Sequence, residues 1–234
     1  MKLVAALSGL LLSLPVLADS LLVNGTRFIY KGSDKELTVQ LSNAAGRPSL
    51  AQVWLDNGDP EVTPDKISTP FIINPPVSRI DGHSGQVIRI KLAPGSNLPA
   101  NKESIWWINV LDIPGTSSAD KAPEGAGLFK MAVRSRFKLI YRPTALAGRA
   151  DAIEKLKLQP SGSTLTMTNP TPFYITVATI SAGQGDPMNS AAVMIPPLSS
   201  ETVTLNKALH SGEEITLEEI NDYGALAKRK ATVG

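Results

Sequence analysis

Apolar residues in this chain recur at every second position, in short runs separated by Gly, Pro, Asn and Asp. In KELTVQLSN (35–43), Leu37, Val39 and Leu41 share one face, with polar residues between them. In QVIRIKL (86–92), Ile88, Ile90 and Leu92 face one way while Arg89 and Lys91 face the other. LAQVWLD (50–56), SIWWINVLD (104–112), STLTMTN (163–169), PFYITVATI (172–180), ETVTLN (201–206) and EEITLEEI (213–220) behave alike. Period-two alternation predicts half-buried strands, and regular short strands with such punctuation predict a sandwich or barrel. No segment carries the 3.6-residue period of an amphipathic helix.

One run stands apart. GLFKMAVRSRFKLIYRP (127–143) places Phe129, Met131 and Val133 between Lys130, Ala132 and Arg134, then gathers basic residues and stops at Pro143. It is long and basic for a strand that only closes its own sandwich. On the pattern alone, its apolar face packs either into its own domain or against something else.

Tyr141-Arg142-Pro143 followed by TALAGRA marks the domain boundary, because Pro143 has no N–H to donate to a strand and the small residues after it build little core. The expectation is a signal peptide at 1–18 and two all-β domains at 19–143 and 144–234. The opening MKLVAALSGLLLSLPVLA reads as a secretory signal, with Lys2, an apolar stretch too short to span a bilayer, and a small-residue cleavage site. Its removal takes Lys plus Arg from 23 to 22 against 21 acidic residues. That balance gives no electrostatic case for nucleic acid, and the scarcity of aromatics argues against base stacking. No later stretch is apolar enough for stable membrane insertion.

Chemistry is sparse. There is no cysteine, so neither disulfides nor thiolate metal sites contribute. The two histidines, His83 in IDGHSGQ and His210 in ALHSGEE, read as turn residues without a second ligand at metal spacing. Glu213-Glu214 and Glu218-Glu219 flank alternating apolar positions and read as a solvated strand face. Gly125-Ala126-Gly127 has no helix after it to cradle a phosphate, and Lys228-Arg229-Lys230 reads as a solubilising tail. No catalytic residue, cofactor or metal site is expected.

Six segments taken together resemble the periplasmic pilus chaperones of the chaperone–usher pathway. They are NGTRFIY (24–30), FIINPPVSRI (71–80), INVLDIPG (108–115), SRFKLIYRP (135–143), NPTPFYITV (169–177) and NDYG (221–224), in the family's order. The resemblance implies two immunoglobulin-like β-sandwiches joined at an angle with a cleft between them. It implies a non-enzymatic chaperone that lends a strand to an incomplete pilus subunit and delivers it to an outer-membrane usher. Phe129, Met131 and Val133 would enter the subunit's groove, and Arg27 and Lys138 would bind its terminal carboxylate. Arg89, Glu103 and Asp222 would form an interdomain charge network, and Pro48 and Leu50 would face the usher. The short segment from Asp112 to Gly127 resembles the short-loop branch of the family. Two copies capping each other's exposed strand would give a homodimer.

Three points stay open from the residues. In a straight strand Lys138 has the opposite parity from Phe129, Met131 and Val133, which a bulge or bend between Arg134 and Lys138 would reconcile. The prolines at 75, 76, 170 and 172 admit either isomer. The last strand, after NDYG, is short and charged. The alternative class is a secreted adhesive or structural pilus component, disfavoured because SLLVNGTRF leaves no room for a donor N-terminal extension.

Overall fold

Period-two alternation becomes strands wherever it was strong. The computed structural model describes residues 21–115, 131–183 and 185–234. The segment 1–18 expected as a signal peptide, most of the Asp112–Gly127 loop including Gly125-Ala126-Gly127, and Phe129 lie outside them. The first sheet joins β1 (Leu21–Val23), β3 (Leu37–Asn43), β7 (Gly85–Leu92) and β5 (Phe71–Asn74), in the order β1-β3-β7-β5. The second joins β2 (Arg27–Lys31), β9 (Val133–Arg142), β8 (Ser104–Pro114), β4 (Ser49–Asp56) and β6 (Val77–Ile80), in the order β2-β9-β8-β4-β6. Between the sheets lie Val39, Leu41, Ile88 and Ile90 against Val53, Leu55, Ile108, Val110 and Leu139. Each such side chain contributes about 1.5–3 kcal/mol on burial.

A second core forms after Pro143 from Leu165, Met167, Ile175, Val177, Ile180, Ile195, Ile215 and Leu217. Its sheets are β10 (Lys157–Ser161), β11 (Thr164–Asn169) and β14 (Ser199–Thr204), and β13 (Val193–Ile195), β12 (Ile175–Ala182), β15 (Glu214–Ile220) and β16 (Leu226–Thr232), adjacent in that order. The helical pieces among the described residues are single 3-10 turns, in keeping with the missing 3.6-residue period. No helix among them is long and apolar enough to cross a membrane.

The chain's first strand segment changes sheets. β1 pairs with β3, and four residues later β2 runs beside β9 in the other sheet. Gly25 makes the crossing with φ 136°, a conformation that side chains with a Cβ rarely adopt. The β2–β9 ladder is parallel, whereas the other ladders are antiparallel. The Asn74–Pro75 bond is cis.

The C-terminal reading is corrected. Lys228-Arg229-Lys230 belongs to a seven-residue strand in full register with β15. Lys228, Arg229 and Lys230 pair with Glu218, Glu154 and Glu214. Exposed pairs of this kind add little stability, but cations on an edge strand discourage pairing with other chains.

Candidate functional site

β9 has a partner along one side only over its first half. β8 follows it from Val133 to Tyr141, while β2 covers only Lys138 to Arg142. Among the described residues, the stretch 133–137 therefore has one edge unpaired. The β8 register is unbroken, so no bulge separates Val133 from Lys138. The parity conflict is resolved instead by two faces doing different work. Phe137, Leu139 and Tyr141 point inward to the sandwich core. Val133, in the same row, stands 39% exposed, and Met131 just before the strand is 62% exposed. The row thus runs out of its own core and presents its last apolar groups to solvent.

The outward row is cationic. Arg134 lies over Trp54 with 5.0 Å to the ring centroid, Arg136 over Trp107 at 4.5 Å, and Lys138 over Trp107 at 5.6 Å. Asp56, with a fully buried carboxylate, receives both Arg136 and the Asn109 amide, the latter at 2.7 Å. Burial pushes the Asp56 carboxyl up, but hydrogen bonds from Arg136, Asn109 and the Gly58 N–H together with the Arg136 charge hold it below the usual value. Asn109 in turn accepts Arg134 Nη2 at 2.7 Å. The donors of Arg134 and Arg136 are thereby engaged within the sheet.

Lys138 differs from those two. It is directly opposite Arg27 in the β2–β9 register, so two cations sit side by side where the open edge ends. Arg27 Nη1 donates to the Ile220 carbonyl at 2.8 Å, while its Nε is buried without an acceptor. Burial, with the Arg27 charge second, lowers the Lys138 ammonium from 10.5 to about 8. Burial also lowers Arg27, with the Arg149 charge adding to it and Asp222 and Glu219 opposing. Neither cation has a carboxylate at ion-pair distance among the described residues. The pair has spare donors and unsatisfied charge, which suits an oxyanion such as a carboxylate.

Beside it a charge network crosses between the two domains. Arg142 Nε reaches Glu103 Oε1 at 2.6 Å, and its Nη1 and Nη2 reach the two Asp222 oxygens at 2.7 and 2.9 Å. Glu103 Oε2 also accepts the Tyr174 N–H at 2.7 Å, and the Glu103 N–H donates to the Pro172 carbonyl. Burial pushes Glu103 up, against the pull of Arg142 and the Tyr174 N–H; burial also pushes Asp222 up, but the Arg142 hydrogen bonds and the charges of Arg142, Arg149 and Arg27 together hold it low. Arg149 adds a contact to Glu219 at 2.7 Å, close enough for an ion pair though not aligned as a hydrogen bond. The NDYG turn is pressed onto Thr26. Gly224 has φ 80° and a Cβ there would collide with the Thr26 hydroxyl, so only glycine fits.

Two sequence expectations change here. Glu103 and Asp222 do meet, but Arg89 does not join them. It lies on β7, in the other sheet, half exposed, and pairs with Glu36 at 3.3 Å. Glu219 is buried at the interface, not solvated. Arg142 and Arg149 were missed. For Arg142 a signal existed, since it shares parity with Lys138 in SRFKLIYRP; for Arg149, in a turn between the last strand of the first domain and the first strand of the second, none did. His83 and His210 are exposed, and no cluster of metal-ligating residues exists among the described residues.

Pro48 and Leu50 occupy the far end of the same sheet. Leu50 is 40% exposed on the outward row of β4, opposite Ile113 of β8, which is also exposed, with Val77 of β6 nearby. Pro48 accepts the Gly115 N–H, tying the β4 start to the β8 end.

Comparison with known proteins covers both halves. Residues 20–147 match the family model for the pili and flagellar-assembly chaperone PapD N-terminal domain, and 151–231 match the model for the pili assembly chaperone PapD C-terminal domain. The chain is 51% identical over 233 residues to chaperone protein MrkB of Klebsiella pneumoniae, covering 100% of each. It is 36% identical to chaperone protein FimC of Escherichia coli K12, across 90% of this chain and 83% of FimC. Among solved structures, the YadV chaperone superposes with TM-score 0.75 at 34% identity, covering 91% of this chain and 99% of its own. The Salmonella enterica SafA pilin in complex with the SafB chaperone matches with TM-score 0.77 at 25% identity, covering 92% and 96%.

Proposed function

The chain belongs to the PapD family of pilus-assembly chaperones, and from that premise we propose that it captures pilus subunits on the open edge of β9 and anchors their C-termini at Arg27 and Lys138. The family is non-enzymatic, and its relatives include a chaperone bound to a pilin. The observation that carries the reading is that, among the described residues, the 133–137 edge is unpaired and ends at two cations that lack a carboxylate partner. A strand added to that edge gains main-chain hydrogen bonds, and its apolar side chains meet Val133 and Met131. Phe129 would extend the same row.

Direction follows from the sheet. β2 already occupies the edge beyond Lys138 and runs parallel to β9. An incoming strand must end where β2 begins, and the end that matches two cations is a C-terminal carboxylate. The guest therefore runs parallel to β9, with its register set by the carboxylate. The charges support this. Arg27, Lys138, Arg142 and Arg149 face Glu103, Glu219 and Asp222, so the cluster has one carboxylate too few. Each charge-assisted bond to the guest contributes about 1.5–3 kcal/mol.

The signal segment supports delivery to the periplasm. The exposed Leu50, Val77 and Ile113 patch, beside Pro48, is the surface for the outer-membrane usher. In the free protein the open edge pairs with that of a second copy. The test is periplasmic co-purification of the tagged protein with pilus subunits, comparing wild type with Lys138→Ala and Arg27→Ala. Subunits recovered with wild type and lost with either variant are expected. Retention by both variants overturns the anchor, and no subunit with wild type returns the adhesive-sandwich reading to the front.

A further inference from the structure

We infer that Arg149 is a positioning residue for carboxylate capture, pairing with Glu219 so that this internal carboxylate does not close on Arg27. The inference rests on the anchor role proposed for Arg27 above. Glu219 is 3% exposed, at the end of β15, and its one ion pair among the described residues is the 2.7 Å contact with Arg149. The next residue, Ile220, supplies the carbonyl that holds Arg27 Nη1. The internal acid and the anchoring cation are thus brought together by adjacent positions of one strand.

Two acids act on Arg27, and they are not equally occupied. Asp222 takes two hydrogen bonds from Arg142 and has Arg149 Nε 3.7 Å away. Glu219 has Arg149 alone. A buried carboxylate stripped of its cation seeks another, and Arg27 offers a buried Nε with no acceptor. Loss of the Arg149 charge would let Glu219 fill the place meant for the guest. The positive charge of Arg149 also adds directly to the field that attracts the guest carboxylate. Both effects have the same sign.

Arg149 reaches this place from the linker. It opens the 3-10 turn Arg149–Asp151, directly after Gly148 with φ 81°. The segment that ties the domains together thus also sets the state of the anchor.

The test compares the affinity of the full chain for a synthetic peptide of repeating Thr-Val units, made with a free C-terminal carboxylate and as the C-terminal amide. Wild type should prefer the acid by roughly tenfold or more. Arg149→Gln should shrink that preference to about twofold or less. Arg149→Lys should recover most of it, and so should the double variant R149Q/E219Q, which removes the competing acid. Near-ultraviolet circular dichroism matching wild type in each variant guards against a folding defect in the Arg149 variants. A residue that merely braced the domains would weaken acid and amide peptides equally. That result, an unchanged ratio in R149Q, or a double variant as poor as R149Q would overturn the inference. A wild type indifferent to the carboxylate would instead sink the anchor itself.

Discussion

Lys138 is the residue whose chemistry reports most directly on the site. In the free protein its ammonium is lowered from 10.5 to about 8, first by burial and then by Arg27. The unfolded chain therefore holds the extra proton between about pH 8 and 10.5, and the contribution of this residue to stability rises with pH across that window. A bound carboxylate has the opposite effect, favouring the charged form and drawing a proton in. Subunit affinity should fall as pH rises above about 8, with proton uptake on binding. Calorimetry in two buffers of different ionisation enthalpy checks this, and Lys138→Met should abolish the buffer dependence. Arg136 cannot substitute, since the buried Asp56 already holds it.

At the scale of the element, β9 serves two masters along one strand. Its inward row is core at Phe137, Leu139 and Tyr141 and becomes solvent-facing at Val133. Alternation was read correctly, but it could not say where the strand's own core ends. Val133→Lys should leave thermal stability nearly unchanged, because the position is exposed, lies opposite Asp112 of β8, and an exposed position away from the core shifts folding by no more than about 0.5 kcal/mol. It should cut subunit capture by tenfold or more, since it removes about 1.5–3 kcal/mol of burial and places a charge in an apolar groove. Pull-down at several concentrations beside a melting curve separates the two. A parallel loss of both would place Val133 in the core instead.

For the whole molecule, domain coupling depends on Arg142, not Arg89. Arg142→Ala would strand Glu103, whose carboxylate is fully buried, and breaking such a pair costs about 3–5 kcal/mol. Arg89→Ala removes an exposed pair and should cost at most about 1 kcal/mol. Urea unfolding of the two variants should show that contrast. Equal effects would mean that the interface is held by something other than the Arg142 network. With the same three acids and four cations also framing the anchor, loosening the domains and weakening subunit binding are expected to go together.

The sequence by itself determined which side chains face inward, where the chain turns and, through separated motifs, the family. Those are local or recognisable properties: a strand's inner face is a matter of positions i and i+2. Which strands become neighbours is not local. That Arg89 lies in the opposite sheet, that β2 runs parallel to β9 so that Arg27 meets Lys138, and that Arg142 and Arg149 collect Glu103, Glu219 and Asp222 depend on how distant segments cross. A charge carries no mark of its partner until the fold sets the distance between them. Only the tertiary structure set Arg27 beside Lys138 with no carboxylate at ion-pair distance among the described residues, the place proposed above for a subunit's C-terminus.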